Sequence, residues 1–257
     1  MKLYYLSLCL ISIGILFDTL HSLFYYQKYY SKSGIFNVNI LVNNKQDKSV
    51  SKLLKVLFPI VNEKGFYYIL LLRLALSLLI LFMPHKFYNL IFLVFLTQLV
   101  FNLRNTLALS GADQMRTIIL FGLSIISLMG HFLMIGSLFI VCQLYISYFF
   151  TGYNKIRSPI WRQGKAMVYV LNSELFGNRA IQNFVINLGR GNKILCWGII
   201  LFQLTFPLFA SIQFTNIYFL VVGIIFHLIL AIISNLNDFF WTFISAYPIV
   251  YYVVFHL

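Results

Sequence analysis

The sequence is poor in charge. Only 10% of its 257 residues are Asp, Glu, Lys or Arg, against roughly 25% in a soluble domain, and 61% are hydrophobic. That balance excludes a soluble globular protein, and the two polar stretches, residues 28 to 65 and 151 to 192, are each too short for a sizeable core. Acidic residues are scarcest, six against 19 Lys and Arg, for a net charge of +13. The basic residues lie in short loops beside apolar runs, which fits anionic lipid and orientation signals and argues against nucleic acid. Cysteine is rare as well. Cys9, Cys142 and Cys196 fall inside apolar runs with no CxxC or metal-type spacing, so they read as buried small residues. The five histidines form no HxxxH or HxxHH cluster, and no metal site is expected.

What the chain has in quantity is long apolar runs. A bilayer crossing needs about 20 apolar residues, and the candidates are 3 to 26, 66 to 84, 87 to 103, 116 to 129, 131 to 150, 193 to 212, 216 to 234 and 239 to 255. The stretch 116 to 150, interrupted by Gly130 and His131, reads either as a tight helical hairpin or as one long kinked helix, so seven or eight crossings are expected. The runs do not alternate, which favours helices over a barrel. The expected fold is an all-α polytopic transmembrane helical bundle, a single domain over residues 1 to 257. Lys2 followed by an apolar stretch resembles a signal peptide, but no small-residue cleavage site follows, and a retained first helix is expected. Residues 28 to 65, with seven lysines against Asp47 and Glu63, read as loop. In 160 to 190, apolar residues from Ile160 and Trp161 through Phe176 and Ile181 to Leu188 recur among Arg162, Lys165, Arg179 and Arg190, the pattern of an interfacial helix. With eight spans the charge bias places both basic loops on the cytoplasmic side; with seven they fall on opposite sides.

Ionisable side chains in apolar segments are costly and point to function first. Asp18 and His21, three residues apart, share a face of the first helix, and Arg73 in the second segment can pair with Asp18. They read either as a structural ion pair or as part of a proton or substrate path. His227 lies deep in a late apolar run, either a buried neutral histidine bonded to a neighbouring helix or a working group, while His131 sits at a turn. The stretch Tyr148-Phe149-Phe150-Thr151-Gly152-Tyr153-Asn154-Lys155, followed by Trp161-Arg162-Gln163-Gly164-Lys165-Ala166, is an aromatic helix end with a boundary lysine. Lys155 is then either an interfacial anchor or a desolvated amine able to act as a base. Gly14, Gly122 and Gly198 are candidate helix-packing glycines.

Three blocks of the chain resemble the horizontally transferred transmembrane (HTTM) family, which includes the vitamin K-dependent gamma-glutamyl carboxylases. They are Asp18 through Ile35 with its YSKSGI loop, Arg104-Asn105 with Ser110-Gly111-Ala112-Asp113-Gln114-Met115-Arg116, and the YFFTGYNK and WRQGKA stretch followed by the segment with Pro207 and His227. Their order covers nearly the whole chain. The resemblance implies a helical membrane domain related to enzymes in which a deprotonated lysine starts oxygenation of a vitamin K hydroquinone, and the base so generated removes a glutamyl proton before carbon dioxide adds. Lys155 falls where those enzymes place that lysine, while Thr106 stands at the position of their assisting histidine and Gln203 where bacterial relatives often carry an acid. In size the chain is similar to short bacterial HTTM proteins that act in maturation of sporulation-delaying-type secreted peptide toxins.

The expected function is modification or maturation of a secreted peptide, or action on a lipid-soluble quinol. Lys155 is the expected base, with Asn105, Thr106 and Asp113 near it, His227 as polar partner, and Tyr148, Gly152, Trp161 and Gly164 shaping the substrate loop. The rival is a non-catalytic membrane protein, such as an immunity factor or scaffold for a partner protein, or a small-solute permease that depends on Asp18, His21 and Arg73. Expected partners are membrane lipids and a secreted peptide or soluble partner protein. Abundant Phe, Tyr, Ile, Asn and Lys fit an AT-rich coding sequence, and a multi-pass protein of a bacterial inner membrane is expected.

Overall fold

An apolar run of bilayer length has one economical backbone solution, because each peptide N–H must find a carbonyl without help from water, and an α-helix supplies it within the run. In the computed structural model, which describes residues 1–42, 48–128, 133–173 and 179–256, all the regular structure is helical. Among the described residues seven helical stretches are long and apolar enough to cross a membrane, so the chain is an all-α polytopic integral membrane protein. Contacts divide it into two compact units, Met1–Gly136 and Ser137–Leu257.

In the first unit α1 (Lys2–Phe24) and α2 (Tyr26–Tyr30) lead into three short helices, α3 (Val38–Val42), α4 (Lys48–Val56) and α5 (Phe58–Val61). Next come α6 (Glu63–Phe82), α7 (Pro84–Phe87), α8 (Ile91–Arg104) and α9 (Gly111–Leu128), and α10 (Leu133–Arg157) begins here. Helix α6 packs on both α1 and α8, and α8 packs on α9. The helix starts are written in side chains: Asn62 Oδ1 accepts the Gly65 N–H at 2.8 Å to open α6. Ser110 and Asp113 form a reciprocal box at α9, with Ser110 Oγ accepting from the Asp113 N–H (3.1 Å) and Asp113 Oδ2 from the Ser110 N–H (3.0 Å). Thr19 and Ser124 return their hydroxyls to carbonyls four residues back, which satisfies them inside apolar surroundings.

The second unit holds most of α10, then α11 (Pro159–Arg162), α12 (Ala166–Leu171), α13 (Arg179–Asn187), α14 (Gly191–Ala210), α15 (Gln213–Ser234) and α16 (Asn237–His256). Helix α15 packs on α14 and α16. It stops at Asn235, whose left-handed backbone (φ 55°) closes the C-terminus. Gly152 of α10 lies against α14, where a β-carbon would come within 2.9 Å of the Leu204 nitrogen. Gly164 turns the chain between α11 and α12 at φ +79°, and a β-carbon there would stand 2.7 Å from the Lys193 Cα.

The structure decides one open alternative and changes several expectations. The stretch 116 to 150 is two helices, not one kinked helix, and the first turn of α10 returns to α9 at Gly136, which faces Ile126 and the Gly122 carbonyl; Gly130 and His131 lie outside the described residues. The region 28 to 65 is not plain loop, because Leu54 and Val61 are fully buried and hold α4 and α5 in place. The region 160 to 190 is three short helices in place of one, with Phe176 outside the described residues. Helix α10 runs past the apolar run to Arg157, so Gly152 and Lys155 are helical. Of the cysteines only Cys196 is buried; Cys142 is exposed. Gly198 packs on nothing, since no atom lies within 4 Å of a β-carbon built there.

These glycines separate by substitution. Gly164→Ala should cost about 2 kcal/mol or more, from the left-handed backbone and the Lys193 clash, while Gly198→Ala should stay within about 0.5 kcal/mol; thermal melts in lipid nanodiscs would read both.

Candidate functional site

Charged side chains in an apolar interior persist only if paired, and the first unit shows how. Asp18 Oδ2 of α1 accepts from Arg73 Nη2 of α6 at 3.1 Å and from Arg116 Nη1 of α9 at 2.7 Å. Asp113 stands 3.7 Å from Arg116. One carboxylate oxygen thus ties three helices, and both guanidiniums are buried to within 1% of full enclosure. Arg73 also lies over the Phe101 ring, 4.4 Å from its centroid. The pairing of Asp18 with Arg73 was legible in the sequence; Arg116 was not, because it sits at the edge of its apolar run and reads as a boundary cation. His21 does not join this cluster. It is exposed against Tyr25, 4.9 Å between centroids, although it is three residues from Asp18.

At one end of the same unit a second polar layer forms where α2, the start of α6 and the end of α8 meet. Tyr30 donates its hydroxyl to Asn105 Oδ1 at 2.9 Å, and Asn105 donates to the Phe101 carbonyl. Arg104 is fully buried, lies 5.4 Å from the Tyr30 centroid and 5.2 Å from that of Phe66, and donates to the Tyr30 carbonyl at 3.3 Å. Tyr26 donates to the Glu63 carbonyl, and burial pushes its phenol up to about 12. Thr106 spends its hydroxyl on the Leu103 carbonyl at 2.7 Å, and Asp113 spends its carboxylate on the α9 cap and Arg116. Both have structural duties.

The second unit carries the remaining candidates. Tyr148, Gly152 and Lys155 lie on one stripe of α10, each about one turn from the next. The Tyr148 hydroxyl meets His227 Nε2 of α15 at 2.8 Å and the Tyr247 hydroxyl of α16 at 2.6 Å. Its ring stacks on Phe206 of α14, 3.9 Å between centroids, and the His227 ring stacks on Phe243. All three members of the Tyr148–His227–Tyr247 chain are buried. Tyr247 escaped sequence reasoning, since one tyrosine in an aromatic-rich apolar run carries no distinguishing signal. Lys155 is half-buried, with its ammonium nitrogen 4.9 Å from the Trp161 ring centroid. Lys155 has no carboxylate partner among the described residues. Gly164 shapes the turn after Trp161, whereas Gly152 is a packing glycine within α10 and no part of a loop.

The expected site residues therefore divide: Asp18, His21, Arg73, Asn105, Thr106 and Asp113 belong to the first unit, and Tyr148, Gly152, Lys155, Trp161, Gly164 and His227 to the second. Chemically the first unit offers a fixed ion cluster, and the second a buried hydroxyl–imidazole chain and, about two helical turns along α10, an amine on an indole face. Among the described residues no group of three or more His, Cys, Asp or Glu side chains is placed to hold a metal.

Asp18→Asn would leave two buried arginines without their shared counter-charge and should cost about 3–5 kcal/mol, read as a lowered melting temperature in nanodiscs. Tyr26 makes a pH prediction. Its folded state holds the phenolic proton above the ordinary value of 10, so stability should fall between about pH 10 and pH 12 as only the unfolded chain ionises. Tyr26→Phe should make that decline shallower by the share of one phenol in denaturant titrations across the range. Comparison with known protein families, characterised proteins and solved structures yields no match for this chain.

Proposed function

We propose that the chain is an HTTM-type protein of a bacterial inner membrane in which the Lys155 amine is a base acting on a membrane-delivered substrate, in maturation of a secreted peptide or on a lipid-soluble quinol. The observation that carries the reading is the setting of Lys155. It stands in the last turn of a spanning helix with an aromatic ring as neighbour and no carboxylate partner among the described residues. A carboxylate would hold the ammonium form by up to about 1 kcal/mol and occupy its N–H donors, whereas the indole face holds it by about 0.5–2 kcal/mol from one side and leaves the nitrogen open to a substrate. Trp161 also offers a flat apolar surface of the kind an aromatic quinol would lie on. A bound quinol would supply an acidic hydroxyl, and Lys155 Nζ would take its proton. Thr106 cannot assist as a histidine would, because its hydroxyl is committed to backbone carbonyls.

A second reading, as a permease or a non-catalytic immunity or scaffold protein, rests on the Asp18–Arg73–Arg116 cluster, since polar groups inside spanning helices mark transport paths in other membrane proteins. The two differ in which substitution matters. Mass spectrometry of secreted peptides from cells expressing the wild type, Lys155→Ala and Lys155→Arg should show a Lys155-dependent modification that falls about 100-fold or more in both variants. A gain equal to one carbon dioxide would identify carboxylation. Identical peptide profiles from equally expressed proteins would remove Lys155 from the chemistry and favour the second reading, which vesicle uptake assays on Asp18→Asn then address.

A further inference from the structure

Arg104 differs from the other buried arginines. Arg73 and Arg116 share Asp18, but Arg104, with no exposed surface, makes no ion pair among the described residues. Among the described residues its side chain bonds to the Tyr30 carbonyl alone, two aromatic rings flank it, and its Nε and Nη1 donors have no partner. The acid whose charge reaches it, Glu63, stays beyond ion-pair distance. A cation stripped of water and left with open N–H donors is among the costliest arrangements a protein interior holds. Its stable completion is an anion.

A route for one lies beside it. Tyr30, whose carbonyl and ring face Arg104, also lines a pocket of about 290 Å³ with Lys32, Asn37, Asn62, Glu63 and Lys64. Lys32 and Lys64 are exposed. Two lysines at the rim and Arg104 behind the wall outweigh the one carboxylate, and the focused field draws anions inward. The volume admits a few atoms with their water and no large ligand. We propose that Arg104 and the pocket at Tyr30 form one receptor for a small oxyanion of the size of acetate, bicarbonate or phosphate, taken up from water. Arg104 does not line the pocket itself; Tyr30, bonded to Asn105, is the residue common to both. The proposal is independent of any role for Lys155.

The test is a thermal melt of the full chain in nanodiscs of zwitterionic lipid, with sodium acetate, bicarbonate or phosphate exchanged for chloride at constant ionic strength. At least one oxyanion should raise the melting temperature with the logarithm of its concentration. Arg104→Met should abolish that rise and, in chloride alone, melt no lower than the wild type, because the substitution removes an uncompensated buried charge. Lys64→Ala, at an exposed position, should keep the fold and weaken the apparent Kd about threefold. A wild type that responds to none of the three anions overturns the proposal. An Arg104→Met variant that keeps the response also overturns it, as does one that melts below the wild type in chloride, which would make Arg104 a packing residue.

Discussion

The first unit depends on one carboxylate. Two charges about 4 Å apart attract by roughly 1 kcal/mol in water and by roughly 4 kcal/mol at the lower effective dielectric of a protein, so the apolar surroundings that make Asp18 expensive also make its bridge to Arg73 and Arg116 strong. The residues come from α1, α6 and α9, which are far apart in sequence, and the guanidiniums leave no exposed charge. Packing of α6 on α1 and α8 then follows around a fixed point, with Phe101 closing one face of Arg73.

The second unit solves the same problem without charge. Tyr148 joins His227 and Tyr247 across α10, α15 and α16 through one hydroxyl, each group able to act as donor or acceptor, and only His227 Nδ1 is left without a bond among the described residues. A neutral network costs less to bury than an ionic one. Close aromatic stacking on Phe206 and Phe243 supplies the dispersion contact that holds it. Lys155 lies at the far end of the same α10 stripe, which gives its amine a rigid helical base.

Much of this fold was legible because bilayer thickness dictates the length of an apolar run: all eight expected segments correspond to helices, seven of them meeting the spanning criterion. Helix ends were less legible, since hydropathy ends at the membrane boundary while hydrogen bonding does not; hence Lys155 is helical and not in a loop. The short helices α3 to α5 carry asparagines and lysines that favour loop locally, and the burial of Leu54 and Val61 overrides that preference. In the candidate site, Asp18 and Arg73 stood out as rare charges of opposite sign. Asp113 entered the candidate site through the family resemblance, yet the helix cap it completes was written three residues upstream at Ser110. What no pattern revealed were the roles of Arg116 and Tyr247 as partners on distant helices, and the isolation of Arg104.

The Ser110–Asp113 box has a consequence for the ion cluster. It fixes where α9 begins, and therefore the angle at which every later side chain of that helix leaves the axis. Each residue adds about 100° of rotation, so Arg116 reaches Asp18 only when the helix starts at its present residue. The cap thus acts as an index mark, and the insertion of a single residue between Asp113 and Arg116 would swing the guanidinium by more than a quarter turn, toward lipid or toward another face of the unit. A polar turn at one end of a helix in this way sets the electrostatics of the interior.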